Sequence, residues 1–150
     1  MDRFMLKVDV TYPTSDEELE IMRRMARTDE APSVETVASP QQILEARALI
    51  DDLYMDERVE QYIVDLVLAS RTPGASLLAY GASPRASINL NLAARAHAFL
   101  QHRAYVTPED VRALAMEVLQ HRLVITYEAE AQQVEAADLV ERLLNAVKVP

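Results

Sequence analysis

Three times this chain writes a hydroxyl residue, then a proline, then the start of an apolar-periodic run: Ser39-Pro40, Ser83-Pro84 and Thr107-Pro108. Each pair reads as the start of a helix. The hydroxyl oxygen accepts an orphan backbone N–H at the N-cap. The proline fits the first helical position, where its missing donor costs nothing. Gln42 completes a capping box with Ser39, and Glu109 and Asp110 supply the acid of the third start. Ser15-Asp16-Glu17-Glu18 reads as a further capping box, and Asp56 as another cap. Only two glycines, Gly74 and Gly81, occur in 150 residues, while Ala, Leu, Glu and Arg are abundant. Such a chain is expected to be mainly α, a helical bundle of one ordinary domain's length.

The apolar spacing fills in the elements. A first helix runs from Ser15 through Leu19, Met22 and Met25, followed by a loop at 29–38. A second starts at Pro40 with Ile43, Leu44 and Ile50 on its apolar face. A third follows Asp56, with Val59, Ile63, Leu66 and Val67 toward the core, and Thr72-Pro73-Gly74 stops it. A long helix runs from Ser83 to about Arg103, with Ile88, Leu92 and Phe99 expected inside. Another carries Val111, Leu114, Ala115 and Val118, and a last one spans 136–147 with Leu139, Leu143, Leu144 and Val147 apolar. Residues 121–128 read as extended.

Phe4 to Val10 breaks the helical pattern. Phe4, Leu6, Val8 and Val10 alternate with Met5, Lys7 and Asp9, which is a strand period. A lone strand cannot satisfy its own backbone. No partner strand lies nearby in the sequence, so either a distant segment supplies the sheet, or this is a leftover strand of an α/β core absent here.

Charge and composition exclude several functions. The formal net charge of -9 opposes phosphate backbones and anionic membrane surfaces, so neither nucleic acid nor membrane is an expected partner. No apolar run reaches the length of a membrane span, and the first residues lack a signal peptide's apolar stretch. The expected location is the cytoplasm. With no cysteine there is no disulfide or thiolate metal site, and three scattered histidines form no zinc motif.

The candidate site is Gly81-Ala82-Ser83-Pro84-Arg85-Ala86. A cation in the first turn of a helix is disfavoured by the dipole, so Arg85 calls for another reason. A helix N-terminus with an arginine beside it suits an anion, most often phosphate. The bland alternative is an arginine paired with a surface carboxylate. His121-Arg122 reads as a helix-ending pair that meets carbonyls. His97 and His102 read as structural, Asp51, Asp52, Asp56 and Glu57 as acidic helix boundaries, and Tyr54, Met55 and Tyr62 as packing.

Gly81-Ala82-Ser83-Pro84-Arg85-Ala86 and Arg103-Ala104-Tyr105-Val106-Thr107-Pro108-Glu109-Asp110-Val111, followed by His121-Arg122-Leu123 and the stretch Leu143 to Pro150, closely resemble the C-terminal part of MoxR-type AAA+ ATPases. Asp2-Arg3-Phe4 and Val8-Asp9-Val10-Thr11-Tyr12-Pro13 are similar to the end of that family's nucleotide-binding core. The resemblance implies residues 1–38 as the end of the core and 39–150 as a helical lid domain. It implies that Arg85 is a sensor-2 arginine on the γ-phosphate, with Ser83 and Pro84 forming the nucleotide-proximal helix start. It implies that Arg3 is an arginine finger reaching a neighbouring subunit's ATP. The intact protein would bind ATP and Mg2+, form a ring and hydrolyse ATP to remodel client proteins. Its partners would be the missing core and the neighbouring subunits. The sequence holds no Gly-x-x-x-x-Gly-Lys loop, so this chain alone is expected to be inactive and to bind no cofactor. The other reading is a stand-alone helical interaction module, which would bury Phe4, Leu6 and Val8 on its own helices.

Overall fold

The computed structural model describes residues 2–28, 33–72 and 77–150. Among them the elements are α1 (Ser15–Met25), α2 (Pro40–Asp51), α3 (Glu57–Ala69), β1 (Leu78–Tyr80), α4 (Pro84–Leu100), α5 (Pro108–Leu119), a 3-10 turn (Gln120–Arg122), β2 (Val124–Ile125), α6 (Tyr127–Ala131) and α7 (Ala136–Ala146). The fold is mainly helical with one small antiparallel sheet, β1 on β2, pairing Leu78 with Ile125 and Tyr80 with Val124.

All three hydroxyl-proline pairs start helices. Ser39, Ser83 and Thr107 are the N-caps of α2, α4 and α5. Asp56 caps α3, accepting from the Arg58 N–H at 2.9 Å. The first capping box lies one residue earlier than expected: Thr14, not Ser15, pairs with Glu17. Thr14 has the extended backbone an N-cap needs, whereas Ser15 is already the first helical residue.

The core gathers α3, α4, α5 and α7. Val59, Ile63, Leu66 and Val67 of α3, Val111, Ala115 and Val118 of α5, and Leu139 and Leu143 of α7 are buried as expected. α4 is turned relative to the expectation and ends at Leu100. Its buried face is Ala86, Leu90, Ala93, Ala94 and Ala98, while Ile88 and Leu92 are exposed and Phe99 is half-buried. Side-chain size misleads here. α4 makes its most extensive contact with α5, and a stripe of alanines lets two backbones approach where branched side chains would not fit.

The N-terminal segment corrects a further expectation. Residues 4–10 are not a strand. One backbone bond, from the Lys7 N–H to the Glu117 carbonyl at 2.9 Å, joins them to the end of α5. A helix end offers no ladder, so the alternating pattern finds no edge to pair with among the described residues. Phe4 (70% exposed) and Val8 (67%) point outward, and Leu6 is exposed as well. α1 and α2 bury no residue, so Ile43 and Leu44 are not core, contrary to their apolar spacing. Residues 121–128 are only partly extended: the 3-10 turn and α6 flank a two-residue strand. Pro73 and Gly74, and residues 29–32 of the expected loop, lie outside the described residues.

Gly81 fixes where α4 begins. A Cβ there would lie 2.3 Å from the Ser70 carbonyl oxygen and 2.6 Å from its carbon. The Ser70 hydroxyl donates to the Val67 carbonyl at 2.6 Å and accepts from the Ala82 N–H at 3.0 Å. Arg71 Nε donates to the Ala82 carbonyl at 2.6 Å. The end of α3 thus holds the start of α4 through a gap that admits only glycine. Gly81→Ala is expected to destabilise the chain by about 1 to 3 kcal/mol, the usual cost of overpacking, because backbone must shift. Urea unfolding of this chain measures it, and an unchanged midpoint would refute the close approach.

Candidate functional site

The site is the N-terminus of α4 and what sits on it. The Ser83 hydroxyl accepts from the Arg85 N–H at 3.3 Å, capping the first turn. The same hydroxyl faces the Asp2 carboxylate, 3.0 Å from Oδ1 and 3.1 Å from Oδ2, and donates to it. Arg85 Nη1 donates to Asp2 Oδ2 at 3.0 Å. Pro84 is exposed at the first helical position. An anionic group therefore already stands where helix dipole, hydroxyl and guanidinium converge. The Arg85 side chain remains 60% exposed, with guanidinium surface left for a second partner.

A second arginine backs the carboxylate. Arg122 Nε lies 3.4 Å from Asp2 Oδ1 in an ion pair, and this side chain is wholly buried. Its other nitrogens bind carbonyls: Nη1 donates to Val118 and, at 3.3 Å, to Met5, and Nη2 donates to Phe4. His121 Nε2 also meets the Phe4 carbonyl, at 3.1 Å. The helix-ending pair thus does meet carbonyls, and some of those belong to the distant N-terminal segment. Burial lowers the Arg122 pKa from its ordinary value, and Asp2 opposes that shift. Asp2 in turn is held below the usual carboxylate range, first by the Arg85 hydrogen bond and then by Ser83 and the charges of Arg85 and Arg122, against a modest cost of burial.

The structure brings Arg85, Ser83 and Pro84 together. Arg3 is exposed in the adjoining turn and makes no hydrogen bond or ion pair among the described residues. Sequence reasoning quoted Asp2 but assigned it no role. It is the surface carboxylate of the alternative reading of Arg85, and it lies 83 positions away, where no local pattern marks it.

The second stretch that carries the resemblance, Arg103 to Asp110, is structural. Asp110 is buried at the start of α5. It accepts from the Thr107 N–H at 2.8 Å and hydroxyl at 3.0 Å, from Arg103 Nη1 at 2.8 Å and Nη2, and meets His97 Nδ1 at 2.6 Å. The acid of the cap therefore also ties the end of α4 to the start of α5. Among the described residues no group of three or more His, Cys, Asp or Glu is placed to hold a metal ion, and no helix is long and apolar enough to cross a membrane.

A helical bundle with a capped, arginine-bearing helix start defines a class, and comparison with known proteins agrees. The AAA lid domain family model matches residues 63–143, more than half the chain, and the chain belongs to that family. It is 36% identical to the protein named Chaperone MoxR1 of Mycobacterium tuberculosis, over 99% of this chain and 41% of that protein. It is 34% identical to the uncharacterized protein YeaC of Bacillus subtilis, over 100% of this chain and 46% of that one. A crystal structure from Cytophaga hutchinsonii, of a protein named as a candidate ATPase, superposes with a TM-score of 0.94 at 40% identity, covering 99% of this chain and 47% of that one. The chain spans less than half the length of these relatives.

Asp110 generates a prediction in pH. Burial works to raise its pKa, but Arg103, the Thr107 N–H, His97 and the Thr107 hydroxyl together bring it well below the usual carboxylate value of 3.8. A lowered folded-state pKa contributes stability that is fully present above the unfolded value and is lost as pH falls below it. Asp110→Asn is expected to cost about 2 to 3 kcal/mol at pH 7 and to flatten the acid limb of stability below about pH 4. Denaturant melts at pH 7 and pH 3 measure both. An equal loss at the two pH values would contradict the charged network.

Proposed function

We propose that this chain is the lid portion of a MoxR-type AAA+ ATPase, with residues 1–38 closing a nucleotide-binding core and residues 39–150 forming the helical lid domain. Arg85 is the sensor-2 arginine that meets the γ-phosphate, and Ser83 and Pro84 shape the helix start beside it. Arg3 is the finger that reaches the ATP of the next subunit in a ring. ATP and Mg2+ bind the phosphate loop of the longer protein, a loop this sequence does not contain. The protein works in the cytoplasm and uses hydrolysis to remodel client proteins or to aid the assembly of metalloenzymes and other complexes.

One observation carries the reading: Arg85 stands at the start of α4, open to solvent, on a helix end that already accepts a carboxylate. An arginine placed this way stabilises charge that builds on a transferring phosphoryl group. The family match and the chaperone name of the mycobacterial relative support the wider assignment. The outward Phe4 and Val8 tell against a stand-alone interaction module, which would cover them with its own helices.

In the ATPase polypeptide carrying this chain, Arg85→Ala is expected to cut ATP hydrolysis at least about tenfold without moving the unfolding transition, since the arginine acts on transition-state charge. An unchanged rate would sink the sensor assignment. Arg3→Ala is expected to abolish hydrolysis likewise. Mixing Arg3→Ala subunits with subunits disabled only in their own phosphate loop is expected to restore part of the activity, because an Arg3→Ala subunit beside such a neighbour then receives its finger. No recovery in mixed rings would contradict action between subunits.

A further inference from the structure

We propose that Asp2 is a positioning residue: its carboxylate is the counter-ion that holds Arg85 and the turn carrying Arg3 on the start of α4, and that a nucleotide γ-phosphate must displace. The proposal rests on the reading of Arg85 as a phosphate-binding arginine.

Three contacts make Asp2 an internal occupant of an anion site. Ser83 donates a hydroxyl, Arg85 donates Nη1 at 3.0 Å, and the buried Arg122 forms an ion pair with its Nε 3.4 Å from Oδ1. That Nε has no hydrogen-bond partner, although the rest of its guanidinium is committed to carbonyls. A buried cation with one nitrogen left unbonded, 3.4 Å from the carboxylate, marks a place built for negative charge. Asp2 fills it from 81 residues away along the chain.

The consequence is competition. A phosphate oxygen taking Arg85 must release Asp2 from Nη1, or sit beside a second negative charge. Either way Asp2 weakens the binding of a triphosphate. Because Arg3 follows Asp2 directly, release of the carboxylate also frees the turn that holds Arg3. Arg122 keeps its grip on the Phe4 and Met5 carbonyls throughout, so the segment stays attached to the lid while its first turn is let go. Occupancy of Arg85 and the placing of Arg3 are thereby linked through one carboxylate.

The test uses the ATPase polypeptide carrying this chain and two probes, ADP and a non-hydrolysable ATP analogue. Asp2→Asn keeps the shape and removes the charge. It is expected to tighten binding of the ATP analogue about two- to fivefold, the worth of one partly exposed ion pair, and to leave ADP binding unchanged. Asp2→Glu, which keeps the charge, is expected to bind like the parent. In an Arg85→Ala background Asp2→Asn is expected to have no effect. Analogue binding by Asp2→Asn that is unchanged or weaker, or an equal gain in the Arg85→Ala background, would overturn the proposal. The two readings fail differently: Arg85→Ala without effect on the analogue overturns the phosphate role of Arg85, whereas a weakening by Arg85→Ala with a silent Asp2→Asn overturns the role of Asp2 alone.

Discussion

The Ser70 carbonyl and the Gly81 backbone share a space too small for a methyl group, and the rest of the site depends on that fact. The close approach seats the first turn of α4 against the last turn of α3. From there every residue of α4 has a fixed rotation. Ala86, Leu90, Ala93, Ala94 and Ala98 go inward, and Arg85 is left outside at the helix start. The other end of α4 is held through His97, whose ring meets the buried Asp110 of α5. Pinned at both ends, α4 is held as one rigid piece, and Arg85 is held with it.

Three arginines, one buried and two half-buried, do a comparable service for the helix termini. Arg95 donates to the carbonyls of Asp51 and Leu53, at 2.9 and 2.5 Å, closing the end of α2. Arg112 donates to the Leu144 carbonyl at 2.7 Å, near the end of α7. Arg122 does so for α5 and extends to the N-terminal segment. Orphan carbonyls at a helix end need donors, and a planar guanidinium supplies several at once.

The local grammar of the sequence was largely legible. Ser39, Ser83 and Thr107 announced three helices correctly because a cap and a first-turn proline act within four residues and need no tertiary help. Val59, Ile63, Leu66 and Val67 were legible as core because α3 packs on several sides. Ile88 and Leu92 were misread, since apolar size ranks them above alanine while helix–helix distance favours alanine. Phe4 to Val10 was misread for a different reason: alternation reports what a segment could pair with, and pairing needs an edge that the described residues do not offer. At the candidate site, the places of Ser83 as N-cap and Arg85 in the first turn of α4 were legible from the cap and proline. Asp2 was not, because its partners lie more than eighty positions away and nothing local marks it.

The central claim is that Arg85 meets a nucleotide phosphate. The most direct measurement is a structure of the ATPase carrying this chain, bound to a non-hydrolysable ATP analogue and Mg2+. The account predicts the Arg85 guanidinium within hydrogen-bond distance of a γ-phosphate oxygen, with Asp2 released from it. Arg85 still paired with Asp2, or turned to solvent beside a fully bound nucleotide, would contradict it.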